Sequence, residues 1–107
     1  MTDKIVILCT CESADEADRL ARVLVERRLA ACVNILPAIR SYYRWQGALE
    51  SSEECLLIIK SSRRLFAPLR AAIEEAHSYE VPELIALPIV EGSPAYLSWM
   101  SDNLVSG

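Results

Sequence analysis

Two β-like stretches decide the fold: ACVNILPAIRSYYRWQ at residues 31–46 and LESSEECLLIIKS at residues 49–61. In the first, apolar and polar residues alternate, as in a strand with one buried face. Its apolar positions on one face are Val33, Ile35, Ile39, Tyr43 and Trp45. The second holds a continuous apolar run at 55–59, which suits a strand covered on both faces. Because Gly47 readily adopts a positive φ in a short turn, we predict one β-hairpin.

The register of this hairpin follows from the length assumed for its loop. A three-residue loop over 46–48 places Arg44 opposite Glu50 and Arg40 opposite Glu54. Both cross-strand pairs then join opposite charges, which favours that register. A shift by one residue would give every side chain other partners.

The hairpin is also long for the domain that carries it. The sixteen residues 31–46 span roughly 50 Å at ~3.3 Å per residue, whereas a compact chain of this size is about 35 Å across. The protruding tip carries Tyr42, Tyr43 and Trp45. We therefore expect an obligate oligomer in which each hairpin lies on a neighbour. The alternative is a bulge at Pro37 that bends the hairpin back onto its own core.

The remaining segments complete an alternation of strands and helices. We predict a central strand over 5–11, helices over 14–28, 64–76 and 94–103, and a strand over 84–88. Ser13 and Glu16 form a capping box for the first helix, and Ser61-Ser62 offers a cap for the second. The order predicts an α+β fold: a ferredoxin-like βαββαβ antiparallel sheet with helices on one face, a long hairpin and a C-terminal helix. Residues 1–107 form a single domain by size.

Composition excludes several classes of partner. The net charge is −4 and the basic residues are dispersed, which argues against nucleic acid. No segment approaches the roughly 20 apolar residues of a membrane span. Without a recognisable signal peptide, the four cysteines are expected to be reduced thiols in a cytoplasmic protein.

The sequence shows no catalytic arrangement, so we expect a protein that is not an enzyme. His77 is the sole histidine, and nothing local pairs it with a nucleophile. A soft-metal site is the better candidate, because thiolate and imidazole suit copper and zinc. Cys9 and His77 could form a weak copper(I) site completed by another subunit. The alternatives are a core role for Cys9 and a helix C-cap role for His77.

The loop at 77–83 is the second candidate site. It brings Tyr79, Glu80 and Glu83 close together, so it could line a pocket or simply be solvated. Lys60, near the end of the second hairpin arm, could reach that pocket or extend to solvent.

Five segments in this order resemble the CutA divalent-cation-tolerance family. They are ILCT at 7–10, LAACVN at 29–34, YRWQG at 43–47, HSYEVPE at 77–83 and YLSW at 96–99. The similarity runs from about residue 4 to residue 104. It implies a ferredoxin-like fold similar to PII signalling proteins, and cytoplasmic homotrimers whose long hairpins reach between subunits.

The resemblance also implies a role in tolerance to divalent metals, with copper binding in some members. There the ligands are a first-strand cysteine, matched by Cys9, and two adjacent histidines after the second helix. His77 matches the second histidine, and Ala76 stands in place of the first. Tyr79, Pro82, Glu83 and the hairpin-tip Trp45 match the wall of a cleft between subunits.

These observations predict a copper-tolerance homotrimer that binds its metal weakly through Cys9 and His77 and needs no cofactor to fold. The alternative is a PII-like module that holds a small ligand or a partner protein in the inter-subunit cleft, lined by Trp45, Lys60, Tyr79 and Glu83. A purely structural trimer is a third possibility.

Overall fold

The computed structural model describes residues 2–106. Its elements are β1 (Lys4–Cys11), α1 (Ala14–Glu26), β2 (Cys32–Trp45), β3 (Ala48–Ser62), α2 (Phe66–Ala76), β4 (Ile85–Pro88) and α3 (Pro94–Asp102). A 3₁₀ turn, Arg63–Leu65, leads into α2. Within residues 2–106, no helix combines the length and the apolarity needed to cross a membrane.

The four strands form one sheet in the order β2-β3-β1-β4. Every neighbouring pair in it is antiparallel. This order, with a helix between β1 and β2 and another between β3 and β4, is the ferredoxin-like arrangement. The predicted α+β fold, its long β2–β3 hairpin and its C-terminal helix are therefore confirmed.

One face of the sheet packs against the helices and forms the core. Ile7 and Cys9 of β1 lie opposite Ile59 and Leu57 of β3, and all four side chains are fully buried. Directly opposite residues project to the same face, so these four share it. The helices cover this face with Leu20, Leu24, Leu69 and Ile73. Removal of these side chains from water is the main stabilising contribution to the fold.

The other face of the sheet carries aliphatic side chains that α1 and α2, which pack on the core face, do not cover. Val6, Leu8, Leu56 and Ile58 are half-buried, whereas Ile85 and Leu87 of β4 are about half exposed. They alternate with the core residues along their strands and therefore share the opposite face. We call this surface the open face. An apolar surface of this kind is typical of a contact with another protein chain.

The observed helix ends agree in part with those predicted from the sequence. The Ser13 side chain accepts a hydrogen bond from the amide of Glu16 and caps α1 as predicted. α1 stops at Glu26, two residues short of the predicted end, because Arg28 adopts a φ of 58°. Of the predicted serine pair, Ser62 occupies the N-cap position of the 3₁₀ turn before α2 but makes no side-chain capping hydrogen bond. The Ser61 hydroxyl instead donates to the Leu29 carbonyl at 2.6 Å.

The hairpin turn contains two residues rather than the predicted three. Gln46 and Gly47 have φ values of 49° and 82°, and Trp45 pairs with Ala48. Positive φ at both central residues is the type I′ pattern, which matches the twist of two paired strands. The predicted register is therefore wrong by one residue, and Arg44 lies opposite Leu49.

A bulge interrupts β2 where Pro37 and Ala38 together oppose the single residue Cys55. Ala38 has a φ of 60°, which accommodates the extra residue. Beyond the bulge, Ile39 lies opposite Glu54. The bulge thus reverses the faces of β2, so the predicted single apolar face through residue 45 is wrong.

The bulge does not fold the hairpin tip back onto the core. Tyr42 remains 69% exposed and Trp45 remains 54% exposed. The molecule measures 45 × 25 × 22 Å, and this elongation is consistent with a protruding ribbon. The tip in the single chain is therefore an uncovered apolar surface.

We expect the two turn positions to respond in opposite directions to substitution. Gly47→Ala should destabilise the protein by about 1 kcal/mol, because alanine is strained at positive φ. In the described part of the chain, no neighbouring atom lies within 4 Å of the position that the new Cβ would take, so a steric clash adds nothing. Gln46→Asn should be neutral or stabilising, because asparagine tolerates positive φ. Chemical denaturation of both variants measures these effects, and equal destabilisation by both would contradict the turn assignment.

Candidate functional site

A cavity of about 1030 Å³ lies between the outer half of the hairpin and the loop at 78–83. β1 contributes the residues where it ends, and both hairpin strands contribute residues beyond the bulge. Three of the four predicted cleft residues line this cavity: Trp45, Tyr79 and Glu83. The structure thus brings the hairpin-tip residue Trp45 to the same cavity as Tyr79 and Glu83, which lie more than thirty positions later in the sequence.

Carboxylates dominate the wall of the cavity, which we call the acidic cleft. Its glutamates are Glu12, Glu50, Glu53, Glu54, Glu80 and Glu83, and none of the described residues that line it is basic. Its aromatic residues are Tyr42, Tyr43, Trp45 and Tyr79. A concave wall with charges of one sign concentrates the local potential, so the cleft attracts cations.

A hydrogen bond between Tyr79 and Glu54 joins the loop to the hairpin. The Tyr79 hydroxyl donates to a Glu54 carboxylate oxygen at 2.7 Å. Burial, followed by this bond and the charge of Glu54, raises the pKa of Tyr79 above its usual range, which keeps the hydroxyl protonated. Glu54 itself is only 8% exposed, so the bond holds the carboxylate in place at the floor of the cleft.

Glu16 of α1 fixes the start of the same loop. Its carboxylate accepts the Ser78 amide at 2.7 Å and the Ser78 hydroxyl at 2.9 Å. Although burial alone would raise the pKa of Glu16, the two Ser78 hydrogen bonds and His77 nearby hold it below the usual value. In the predicted capping box, the Glu16 side chain would bond back to the start of α1. It instead bonds to Ser78 in the distant loop at 78–83.

His77 is a buried structural link between the loop and β1. Its Nδ1 accepts the Tyr79 amide at 2.9 Å, and its Nε2 lies 2.7 Å from the Thr10 carbonyl oxygen. An imidazole with one accepting nitrogen carries its proton on the other, so Nε2 donates to Thr10. The Glu16 carboxylate lies 3.5 Å from Nδ1. Both ring nitrogens are therefore engaged within the protein.

Cys9 lies in the core, as the alternative reading of this residue predicts. It is fully buried, and its Sγ lies 3.7 Å from the Thr10 carbonyl oxygen. Burial, with added repulsion from Cys11 and Glu83, raises the pKa of the Cys9 thiol to about 12. A cysteine must lose its proton to bind a metal, so this surrounding opposes metal ligation.

The residues as arranged therefore do not fit a copper site at Cys9 and His77. The histidine nitrogens are occupied, and the cysteine is held as a neutral thiol. Across residues 2–106, no group of three or more His, Cys, Asp or Glu side chains is placed to hold a metal ion. Metal ligation by this pair stays a prediction, and it requires His77 to give up a hydrogen bond.

Lys60, the fourth predicted cleft residue, lies away from the acidic cleft. It pairs with Val6 and Cys32, several residues below the bulge. Its Nζ lies 5.8 Å from the centre of the Tyr96 ring, within the range of a cation–π contact. A role for Lys60 in ligand binding stays a prediction.

Sequence reasoning missed the two buried glutamates that hold the site together. Glu16 was assigned to the capping box, and Glu54 was assigned to Arg40. Arg40 instead lies opposite Glu53, which leaves Glu54 free to bind Tyr79. The signal for Glu16 was its position on the apolar side of α1, where a carboxylate needs partners.

The family model described as CutA1 divalent ion tolerance protein matches residues 5–103. The chain belongs to the CutA1 family. The Divalent-cation tolerance protein CutA of Thermus thermophilus is 46% identical over 98 residues, which is 92% of this chain and 95% of that relative. The chloroplastic Protein CutA of Arabidopsis thaliana is 44% identical over 92% of this chain. This chain covers only 54% of the Arabidopsis protein, so about half of that relative has no counterpart here.

Solved structures of CutA proteins share the fold. The divalent cation tolerance protein of Thermus thermophilus superposes with a TM-score of 0.93 at 44% identity, covering 95% of this chain and 99% of that one. CutA1 of Oryza sativa superposes with a TM-score of 0.95 at 39% identity, covering 97% of this chain and 95% of that one. The ferredoxin-like topology derived above is therefore that of CutA proteins.

Glu16→Gln should destabilise this CutA chain at neutral pH and reduce its acid sensitivity. A charged hydrogen-bond acceptor is lost, which costs roughly 1.5 to 3 kcal/mol. Because the pKa of Glu16 in the folded chain lies below its ordinary value of 4.5, the stability it supplies is present above about pH 4.5. That stability is lost as the pH falls through the lowered pKa. Chemical denaturation of Glu16→Gln and of the unsubstituted chain, at pH values about one unit apart between pH 3 and pH 7, measures how the free energy of unfolding of each protein depends on pH.

The matched control is Glu26→Gln on the exposed end of the same helix, which should change little at any pH. If the free energy of unfolding of Glu16→Gln fell as steeply with decreasing pH as that of the unsubstituted chain, the role given to the Glu16 carboxylate would be contradicted.

Proposed function

We propose that this chain takes part in tolerance to divalent cations, copper among them, as a homotrimer that binds the ion weakly. The acidic cleft is the observation that carries this proposal. Six glutamates line it, and none of the described lining residues is basic. Carboxylate oxygens are ligands that many divalent cations accept. The names of the relatives, which are divalent-cation tolerance proteins, support the same role.

Weak binding is expected because one chain supplies an incomplete site. In the described part of the chain, the carboxylates do not converge on a point where three could hold one ion. A cation in the cleft would keep most of its water and would gain ligands from a neighbouring subunit. Such a site responds to the ion concentration and releases the ion readily.

Two uncovered apolar surfaces support the oligomer. The open face exposes about half of Ile85 and Leu87, and the hairpin tip exposes Tyr42 and Trp45. Packing against further copies of the chain would remove both apolar surfaces from water, which favours association. The trimeric state itself comes from the resemblance to cytoplasmic CutA trimers. We extend the cytoplasmic, non-enzymatic character to this chain on the same ground, and its four free cysteines are compatible with a reducing compartment.

The second candidate is a PII-like module that binds a small organic ligand. The volume of the cleft, about 1030 Å³, is at the upper end of the range for small-molecule pockets. Its four aromatic side chains offer flat apolar contact beside the carboxylates. A ligand that combines a ring with a positive charge would use both features.

Calorimetric titration with Cu²⁺ tests the first proposal. The double variant Glu80→Gln with Glu83→Gln removes two exposed charges from the cleft and should weaken binding about tenfold, which is about 1.4 kcal/mol. The matched control, Glu74→Gln with Glu75→Gln, removes the same charge from α2 outside the cleft and should bind as the unsubstituted chain does. Equal affinity in all three proteins would rule out the cleft.

The same titration separates the cleft from the Cys9–His77 pair. We expect Cys9→Ser to retain the Cu²⁺ affinity of the unsubstituted chain, because the buried Cys9 thiol presents no free ligand atom. Loss of binding in Cys9→Ser would show instead that the buried pair is the metal site.

A thermal-shift screen of metal ions against small organic cations separates the two functions. A ligand that binds only the folded state raises the unfolding midpoint as its concentration exceeds Kd. Stabilisation by metal ions that chelator abolishes supports cation tolerance by direct binding. Stabilisation by an organic compound in the presence of chelator would favour the PII-like module instead.

A further inference from the structure

The last pair of residues on the β1–β3 ladder consists of two cysteines. Cys11, the final residue of β1, lies directly opposite Cys55 of β3. Directly opposite residues of antiparallel strands have their Cα atoms about 4.5 to 5.5 Å apart and project to one face. A disulfide requires a Cα separation of about 4.4 to 6.8 Å. We propose that Cys11 and Cys55 form an oxidisable pair that a hydroperoxide converts reversibly into a cross-strand disulfide.

The other two cysteines are placed where they cannot substitute for this pair. Cys32 lies opposite Lys60, which alternates with the core residue Ile59, so the Cys32 side chain is on the open face. Cys9 shares a strand and a face with Cys11, but two residues along a strand are about 6.6 Å apart with parallel side chains. The residue opposite Cys9 is Leu57.

The bulge in β2 gives one member of the pair access to solvent. Pro37 and Ala38 oppose Cys55 and leave a shallow cavity of about 300 Å³ that Cys55 lines. Cys55 is 5% exposed, whereas Cys11 is fully buried with its Sγ 3.5 Å from the Ser13 carbonyl oxygen. A small oxidant therefore meets Cys55 first, and Cys11 is the second thiol to react.

The oxidation is balanced by one hydroperoxide for each pair. The Cys55 sulfur attacks the peroxide O–O bond, which gives a sulfenic acid on Cys55 and releases water or an alcohol. The Cys11 sulfur then attacks the sulfenic sulfur, the S–S bond forms and one water leaves. The two thiols together lose two protons and two electrons, which reduce the peroxide. A dithiol reductant reverses the change by exchange.

The position of the pair determines what the disulfide would change. Residues 48–54 of β3 extend beyond the end of β1, so the bond would fix the point from which the outer hairpin projects. Glu54, which holds Tyr79 in the acidic cleft, directly precedes Cys55 in the sequence. Oxidation would therefore restrict the root of the hairpin and one wall of the cleft.

Mass spectrometry of a two-cysteine background tests the proposal. In the variant Cys9→Ser with Cys32→Ser, Cys11 and Cys55 are the remaining thiols. Under hydrogen peroxide we expect the chain to lose the mass of two hydrogens and both alkylatable thiols, and to run as a single chain on a non-reducing gel. The midpoint of thermal unfolding should rise, because the bond closes a long loop in the unfolded chain. Dithiothreitol should reverse each change.

The control variants add Cys11→Ala or Cys55→Ala to that background, and neither should lose two hydrogens. Peptide mapping of the peroxide-treated unsubstituted chain provides a readout that no substitution can disturb, and it should show the 11–55 crosslink. The proposal is overturned if both thiols remain alkylatable, if Cys55 proceeds to sulfinic acid, or if the bond that forms joins two chains.

Discussion

The strand β3 continues well past the end of its central neighbour, and much of the molecule depends on this difference in length. β1 ends at Cys11, opposite Cys55, while β3 begins at Ala48. Within residues 2–106, the outer hairpin therefore has no third strand beside it, and an isolated two-stranded ribbon is only marginally stable in water. Because its tip is also apolar, we propose that the ribbon is covered by a neighbouring copy of the chain. We propose that the open face of the sheet is covered in the same way, since α1 and α2 pack on the other side.

The same projecting ribbon creates the acidic cleft. The loop at 78–83 meets the hairpin through the hydrogen bond from Tyr79 to Glu54, and Glu16 holds the start of the loop through Ser78. Two buried carboxylates thus position a wall of exposed ones. His77 links this loop to β1, and both of its ring nitrogens form hydrogen bonds in doing so. The site therefore draws its negative charge from exposed glutamates and its shape from buried polar contacts, and any change in the hairpin alters both.

Local sequence patterns predicted the helices and strands of the fold. The hairpin register, the bulge and the partners of the buried glutamates depend on contacts between residues that are distant in the sequence, so local patterns did not predict them. The capping serine of α1, the central position of β1 and the antiparallel order all followed from periodicity and turn residues. The register failed because Gln46 adopts a positive φ that its residue type does not favour, which shortens the turn by one residue. The bulge then reversed the faces of β2. Glu16 and Glu54 were misassigned because each had a plausible local partner, and burial favoured a distant one.

Self-association is the central proposal, because we expect both the weak cation site and the stability of the ribbon to depend on neighbouring subunits. Sedimentation equilibrium at micromolar concentration tests it most directly. We predict a single species of three times the chain mass of 11.9 kDa, with dissociation accompanied by loss of the hairpin signal in circular dichroism. A well-folded species at the mass of one chain would contradict the account, because the exposed tip and open face would then be stable in water alone.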